Sequence, residues 1–338
     1  MRVIAQALAS AALAAFLALS GPPPATANDS TAELGVGGLV LTANSGIAMK
    51  SEDLRISANL IEVRYEFLNE TDKDITTLVA FPMPLISAND ADFQYALPKE
   101  RDPVNFIGFT VTVDGQKIAP EVEQRARVHG VDITDRLKAD GIPLNPFPLQ
   151  RGREALARLS PDKRKFYVER GLAIWSEGQP TSVAWDVATT FFWMQTFPAQ
   201  KVVSVQHSYT PVVGTGFLTE TVLAGPPESP QLMDYCIDKG TNAGIRKIIQ
   251  ARKVQNGADE PGLFQTRLQY VLLTGANWAG PIRDFRMSIN KPTPDTIMSF
   301  CFDGKLQKIS PTTFTFAAKN YTPSRNLSIL FVNPNRSN

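Results

Sequence analysis

The chain has 338 residues, with 34 lysines and arginines against 33 aspartates and glutamates, two histidines and two cysteines. Near-zero net charge argues against a nucleic-acid partner, because phosphate binding rests on several clustered basic side chains. Two scattered histidines and no cysteines at ligand spacing argue against a zinc or iron centre, which needs several convergent ligands, so neither a metal nor a cofactor is expected.

The first 27 residues carry one charge, Arg2, then an apolar run from Val3 to Leu19, a Gly21-Pro-Pro-Pro24 break and Ala25-Thr-Ala27. A basic start, an apolar stretch and an A-x-A site predict a secretory signal peptide cleaved after Ala27. A membrane anchor would need about 20 apolar residues. No later stretch approaches that length, so no transmembrane segment is expected in the mature chain. Losing Arg2 with the leader makes the mature chain formally neutral.

From Leu54 to Phe67 the residues Ile56, Leu60, Val63, Tyr65 and Phe67 settle into period two, which predicts one half-buried strand. The polar turn Asn69-Glu-Thr-Asp-Lys-Asp74 and the run Ile75 to Phe81 complete an expected hairpin. Pro82 and Pro84 end it, because proline cannot donate to a ladder. Phe106 to Val113, Asp114-Gly115 and Gln116 to Val122 predict a second hairpin, since Asp-Gly favours a tight turn with positive φ.

The middle changes character. Asp132 to Gly141 predicts a short helix, and so does Ser160-Pro161 to Arg170-Gly171, with serine as cap, proline at the first position and glycine after the end. The proline-rich connection 142–148 lies between them. Basic residues at 151–165 and 246–253 alternate with apolar ones at helical spacing and read as solvated helix faces. Beyond the helices, Thr181 to Phe197 and Lys201 to Val213 return to β composition, and Thr241 to Val254 predicts an amphipathic helix on Ile245, Ile248 and Ile249. Strands are expected near 265–274, 282–290, 296–302, 313–319 and 326–332; the last two repeat the layout of the opening hairpin.

The predicted fold is therefore mainly β, as antiparallel β-sandwich modules with a helical insertion. The length favours two modules. The expected divisions are a signal peptide at 1–27, an N-terminal β-sandwich module at 28–124, a helical insertion at 125–178 and a C-terminal β-rich module with one helix at 179–338. Cys236 and Cys301 read as one disulfide in an exported protein.

Catalytic signatures are sparse. Gly35-Val-Gly-Gly38 lacks the remaining residues of a phosphate-binding loop, and no G-x-S-x-G, H-E-x-x-H or S-x-x-K set with its supporting motifs is present. Ser51-Glu-Asp53 offers adjacent carboxylates and reads as a solvated turn. His207 alternates with Val203 and Val205 and so points to their face, as a buried structural histidine or as a general base. Phe191-Phe-Trp-Met-Gln-Thr-Phe197, read as a strand, is apolar on both faces and is expected to pack between the sandwich and the helical insertion, or to line a ligand groove. Phe191, Trp193, Gln195, His207 and Tyr209 are the candidate ligand-binding residues.

The stretches Asn28 to Leu39, Met49 to Ser57, Val79-Ala-Phe-Pro-Met-Pro84, Trp193-Met-Gln-Thr-Phe-Pro198, His207-Ser-Tyr-Thr-Pro211, Thr274-Gly-Ala-Asn-Trp278, Gly280-Pro-Ile282 and Ser310-Pro-Thr312 together resemble the bacterial family known as domain of unknown function 4424. The resemblance implies an exported protein of Gram-negative bacteria, hence a periplasmic one, with no assigned activity and no catalytic residues to carry over. The favoured reading is a non-enzymatic envelope protein, binding or scaffolding, with a small molecule or another envelope protein as partner. An alternative is an envelope hydrolase or carbohydrate-active enzyme using paired carboxylates and His207. A third is docking of a membrane complex through an exposed apolar segment at 142–149.

Overall fold

The computed structural model describes residues 29–35, 38–88, 94–97, 102–226, 228–256 and 262–334; the expected leader lies outside the described residues. The fold is mainly β. An eight-stranded sheet runs in the order Gln307–Lys308, Thr313–Tyr321, Ile282–Asn290, Ile47–Ser57, Ile61–Asn69, Val202–Tyr209, Thr110–Val113, Gln116–Ile118. Its pairings are antiparallel except where Ile282–Asn290 runs parallel to Ile47–Ser57. A seven-stranded sheet runs Val131–Asp132, Glu121–Val128, Asp186–Phe197, Ile75–Pro82, Ser30–Gly35, Gly38–Thr42, with Ile86–Ser87 also on Asp186–Phe197. Alternating apolar residues on the facing strands fill the space between these sheets, including Leu54, Ile56, Val63, Tyr65 and Phe67 from one and Val79, Phe81, Phe191 and Trp193 from the other. That is the aligned-sandwich solution to burying one face of each sheet.

A third sheet of five strands, in the order Ile297–Phe300, Leu327–Asn333, Leu263–Tyr270, Val213–Leu218, Gln94–Ala96, is covered on both sides. Ile329 and Phe331 join the main core, whereas Leu330 and Val332 pack with Ile245 and Ile249 of the helix Lys239–Asn256. A strand buried on both faces reads as the continuous apolar run Ile-Leu-Phe-Val seen at 329–332. The helices Thr134–Ala139, Leu149–Ala157 and Pro161–Glu169 gather around Trp185, whose Nε1 donates to the Leu144 carbonyl at 2.9 Å. Ser160 caps the last of these through the Lys163 amide, and Gly171 follows at φ +64°.

Several expectations are corrected. The run 54–67 is two strands, turned at Ser57–Leu60 by a Ser57 hydroxyl that accepts from the Leu60 amide at 3.0 Å. Leu60, counted as inward, is 42% exposed in that turn. The segment 69–74 does not close a hairpin, because Ile61–Asn69 and Ile75–Pro82 belong to opposite sheets. The buried Asn69 side chain organises this crossing: its amide donates to the carbonyls of Lys73 and Phe197, both at 2.8 Å, and its oxygen accepts from the Thr71 amide. Thr313–Tyr321 and Leu327–Asn333 likewise lie in different sheets.

The Asp114-Gly115 hairpin forms with φ of +48° and +79°, but its second strand ends at Ile118 and Glu121–Val128 leaves for the other sheet. Segment 142–149 is not an exposed apolar strip, since Ile142 and Phe147 are buried. Strands from within 28–124 and 179–338 interleave in both large sheets, so chain on either side of the helices builds one common core.

Candidate functional site

Four of the five residues singled out by the sequence meet in the main core. Phe191, Trp193, His207 and Tyr209 point inward from facing strands, with the Trp193 and His207 rings perpendicular at 5.5 Å and Phe109 stacked on Phe191 at 4.4 Å. Gln195 stays half-buried near the strand end, where its amide donates to the Thr196 carbonyl at 2.8 Å. The strand packs against the eight-stranded sheet, not the helices, and its second face is open: Met194 is 62% exposed and Phe192 half-buried. Parity placed those two side chains correctly. Among the described residues no second layer covers that face, which sequence could not show.

Two carboxylates join His207. Asp29, at the entry to Ser30–Gly35, lies with Oδ2 3.5 Å from His207 Nε2, both side chains fully buried. Its peptide carbonyl accepts from Trp278 Nε1 at 2.7 Å. Ser51-Glu-Asp53 is not a solvated turn: it runs within a strand, where a bulge between Met49 and Ser51 turns Glu52 inward, at 1% exposure. Burial holds the Asp29 carboxyl well above the usual range, and the Glu52 charge adds to it. Burial pushes the His207 imidazole down to about 3. Burial thus disfavours the charged form of each group and favours a neutral carboxyl facing a neutral imidazole. Tyr65 and Tyr270, with hydroxyls 3.4 Å apart, are raised by burial as well.

Chemically this cluster is closed. A general base must reach the proton it abstracts, and glycoside hydrolysis needs two carboxyl groups roughly 5–10 Å apart across an open site. Asp29 and His207 are fully buried and Glu52 is 1% exposed, which puts the acid–base groups inside the core. His129, the other histidine, sits at φ +48° in the turn between Glu121–Val128 and Val131–Asp132. Among the described residues no group of three His, Cys, Asp or Glu is arranged to hold a metal ion.

An open cleft of about 170 Å³ lies where the Phe81-Pro-Met-Pro-Leu-Ile86 segment meets the five-stranded sheet. Its centre is a cross-strand row: Gly214 pairs with Tyr95 on one side and with Arg267 on the other. Directly opposed residues of antiparallel strands point the same way, so Tyr95 and Arg267 stand as two walls over a floor with no side chain. Each wall is braced. The Tyr95 ring meets Phe147 edge-on at 5.8 Å, and the Arg267 guanidinium lies over the Tyr235 ring at 5.3 Å. Asp234 and Gln269 line the rim.

Tyr235 is itself fixed. Its carbonyl accepts from the Ser299 hydroxyl at 2.8 Å, and the next residue forms the Cys236–Cys301 disulfide, with Cα atoms 5.0 Å apart. Sequence reasoning missed Asp29, Tyr95, Gly214, Tyr235 and Arg267. Asp29 lies in the Asn28 to Leu39 stretch without standing out there, the other four belong to no quoted motif, and only strand register brings the cleft row together.

Of three larger hollows, one of about 600 Å³ lies among Leu159, Pro161, Arg164 and Trp175, and two, of about 520 and 700 Å³, are shallow depressions on the outer face of the eight-stranded sheet. Their charges pair with one another, Lys50 with Glu66 at 3.1 Å and Asp284 with Lys319 at 2.9 Å across strands, and Asp284 with Arg286 at 3.1 Å along one strand. That is the solvated face of a sandwich. Among the described residues no helix is long and apolar enough to cross a membrane.

No curated protein matches the chain. Among solved structures, a protein of Legionella pneumophila strain Philadelphia 1, provisionally named as nutrient binding, is 16% identical over 91% of this chain and 70% of its own, with a TM-score of 0.45. Yeast LTA4 hydrolase in complex with bestatin is 10% identical over 85% of this chain and 28% of its own, with a TM-score of 0.31. The model of the family described as domain of unknown function 4424 matches residues 27–330, and the chain belongs to that family.

Proposed function

We propose that the protein is a non-enzymatic binding protein of the periplasm, exported by a leader cleaved after Ala27, that takes a small molecule in the cleft floored by Gly214. The observation that carries this reading is how polar groups divide between core and surface. The groups suited to acid and base chemistry, Asp29, Glu52 and His207, are sealed in the core. The accessible cleft instead presents an arginine, two tyrosines, an aspartate and a glutamine beside Met83, Leu85 and Val212, a mixed polar and apolar lining suited to recognition. The Cys236–Cys301 disulfide suits an oxidising compartment.

The test is mass measurement on protein purified from an oxidising secretory compartment, native against denatured. A denatured mass starting at Asn28 and a native mass larger by one small molecule is the expected result. A native mass equal to the bare chain, or to a whole multiple of it, would move a scaffold role ahead of ligand binding.

A further inference from the structure

We propose that the Cys236–Cys301 disulfide is a redox switch: a dithiol opens it in the folded protein, which frees the turn carrying Asp234 and Tyr235 and loosens the Gly214 cleft. This rests on the binding reading above and adds a regulation to that site. Local backbone geometry singles out Cys236. The helical turn Pro230–Met233 closes with two backbone bonds, the Ile237 amide to the Leu232 carbonyl at 3.0 Å and the Cys236 amide to the Met233 carbonyl at 3.1 Å. That pair is the helix-ending motif whose turning residue takes the left-handed region, where glycine is the usual occupant. Here Cys236 holds the position at φ +47°. A cysteine gains nothing from that backbone over a glycine, so its sulfur is what the position is used for.

Cys236 is also open to attack. It is exposed, and Cys301 is half-buried; an exposed disulfide is the kind that exchanges with thiols, whereas a sealed structural one resists reduction. The exchange balances with a dithiol alone. One thiolate of the dithiol attacks Cys236 Sγ, the bond to Cys301 breaks, and its electron pair leaves on Cys301, which takes up a proton. The second thiolate of the dithiol then displaces Cys236, so the dithiol ends as a disulfide and both protein sulfurs as thiols. A small-molecule disulfide reverses each step.

What the bond holds is part of the cleft. The disulfide fastens the turn to the end of Ile297–Phe300, beside the Ser299 hydroxyl, which reaches the carbonyls of Tyr235 and Cys236 at 2.8 and 3.3 Å. Asp234 and Tyr235, the two residues before Cys236, line the cleft, and Tyr235 lies under the Arg267 guanidinium. Release is bounded on the downstream side. There the Asp238 carboxylate accepts from the Thr241 amide at 2.6 Å at the start of the helix Lys239–Asn256, and Ile245 and Ile249 of that helix pack with Leu330 and Val332. The strands beneath keep their own ladders. Reduction therefore moves the turn and not the fold.

The test uses the full mature protein, treated with dithiothreitol without denaturant. Iodoacetamide labelling read by intact mass counts the thiols, and peptide-resolved amide hydrogen exchange follows the turn. Both cysteines should label, and exchange within 230–238 should rise by about tenfold or more while Ile47–Ser57 and Ile61–Asn69 stay protected. Oxidised glutathione should restore slow exchange. Cys236→Ser with Cys301→Ser should show the fast pattern with no reductant; should that variant fail to fold, the reduced wild type carries the test. Thiols that label only in denaturant, or exchange at 230–238 unchanged after reduction, would overturn the switch. Native mass separates this from the binding reading. A small molecule carried by the oxidised protein and lost on reduction supports both, and one retained after reduction overturns the coupling to the cleft. If the oxidised protein carries none while the turn still loosens, the binding reading falls and the redox-opened turn stands.

Discussion

Asp29 and His207 shift in opposite directions, and the linkage between protonation and folding makes that testable. His207 titrates at about 3 when folded against an ordinary 6.5, so the folded state binds fewer protons and loses stability as pH falls from 6.5 towards 3. Asp29 is raised above its ordinary 3.8, so the folded state binds more protons and stability is lost as pH rises from about 4 through the folded value. Between about 4 and 6.5 the two slopes oppose each other. Asp29→Asn keeps the shape and a donor towards Nε2 but removes the second slope. Relative to wild type, its unfolding free energy should rise by about 1.4 kcal/mol per pH unit above pH 4, up to the folded pKa of Asp29. Denaturant midpoints at pH 5, 6 and 7 measure this, and a difference independent of pH would show that Asp29 is ionised in the core. The alternation of His207 with Val203 and Val205 made its inward direction legible in the sequence. Asp29 was not legible, because nothing local separates a buried aspartate before a strand from a solvated one.

Among elements, those whose cause is local could be read from sequence. Asp114-Gly115 supplies two consecutive positive φ values, and Ser160, Pro161 and Gly171 punctuate a helix, whatever the rest of the chain does. Partnership between strands could not be read. Alternation in Ile61–Asn69 and Ile75–Pro82 says that each buries one face; it is silent on whether the turn between them stays in one sheet or crosses to the other, which the buried Asn69 amide decides. The disulfide joins the loop carrying Tyr235 to the edge of the five-stranded sheet across 65 positions. Cys236→Ser with Cys301→Ser should cost on the order of 4 kcal/mol in unfolding free energy in the chain-entropy view, and should weaken ligand binding by freeing the brace behind Arg267. Unchanged binding in the reduced protein would show that the Ser299 hydrogen bond holds the wall alone. Gly304 gives a packing test. A Cβ there would sit 2.4 Å from Phe316 Cε2 and 2.5 Å from Phe302 Cε1, so Gly304→Ala should lower stability by about 1–3 kcal/mol in the same assay.

At the scale of the whole molecule, the three sheets put chemistry and access in different places. Period two put Phe191 and Trp193 on one face of their strand and His207 on the face of Val203 and Val205, and their conspicuous composition drew attention to them, but a conspicuous apolar strand is what a sandwich core is made of. The accessible cleft is assembled from Gln94–Ala96, Val213–Leu218 and Leu263–Tyr270, segments more than a hundred positions apart at the extremes, and its defining residue is a glycine. No sequence period marks such a row, since it exists only once cross-strand register is set. The most direct test compares wild type and Gly214→Val, secreted side by side, by native and denatured mass. The account predicts an added small-molecule mass on the native wild type alone. The same native-minus-denatured difference in both proteins, whether both bare or both loaded, would contradict a binding site at the Gly214 cleft.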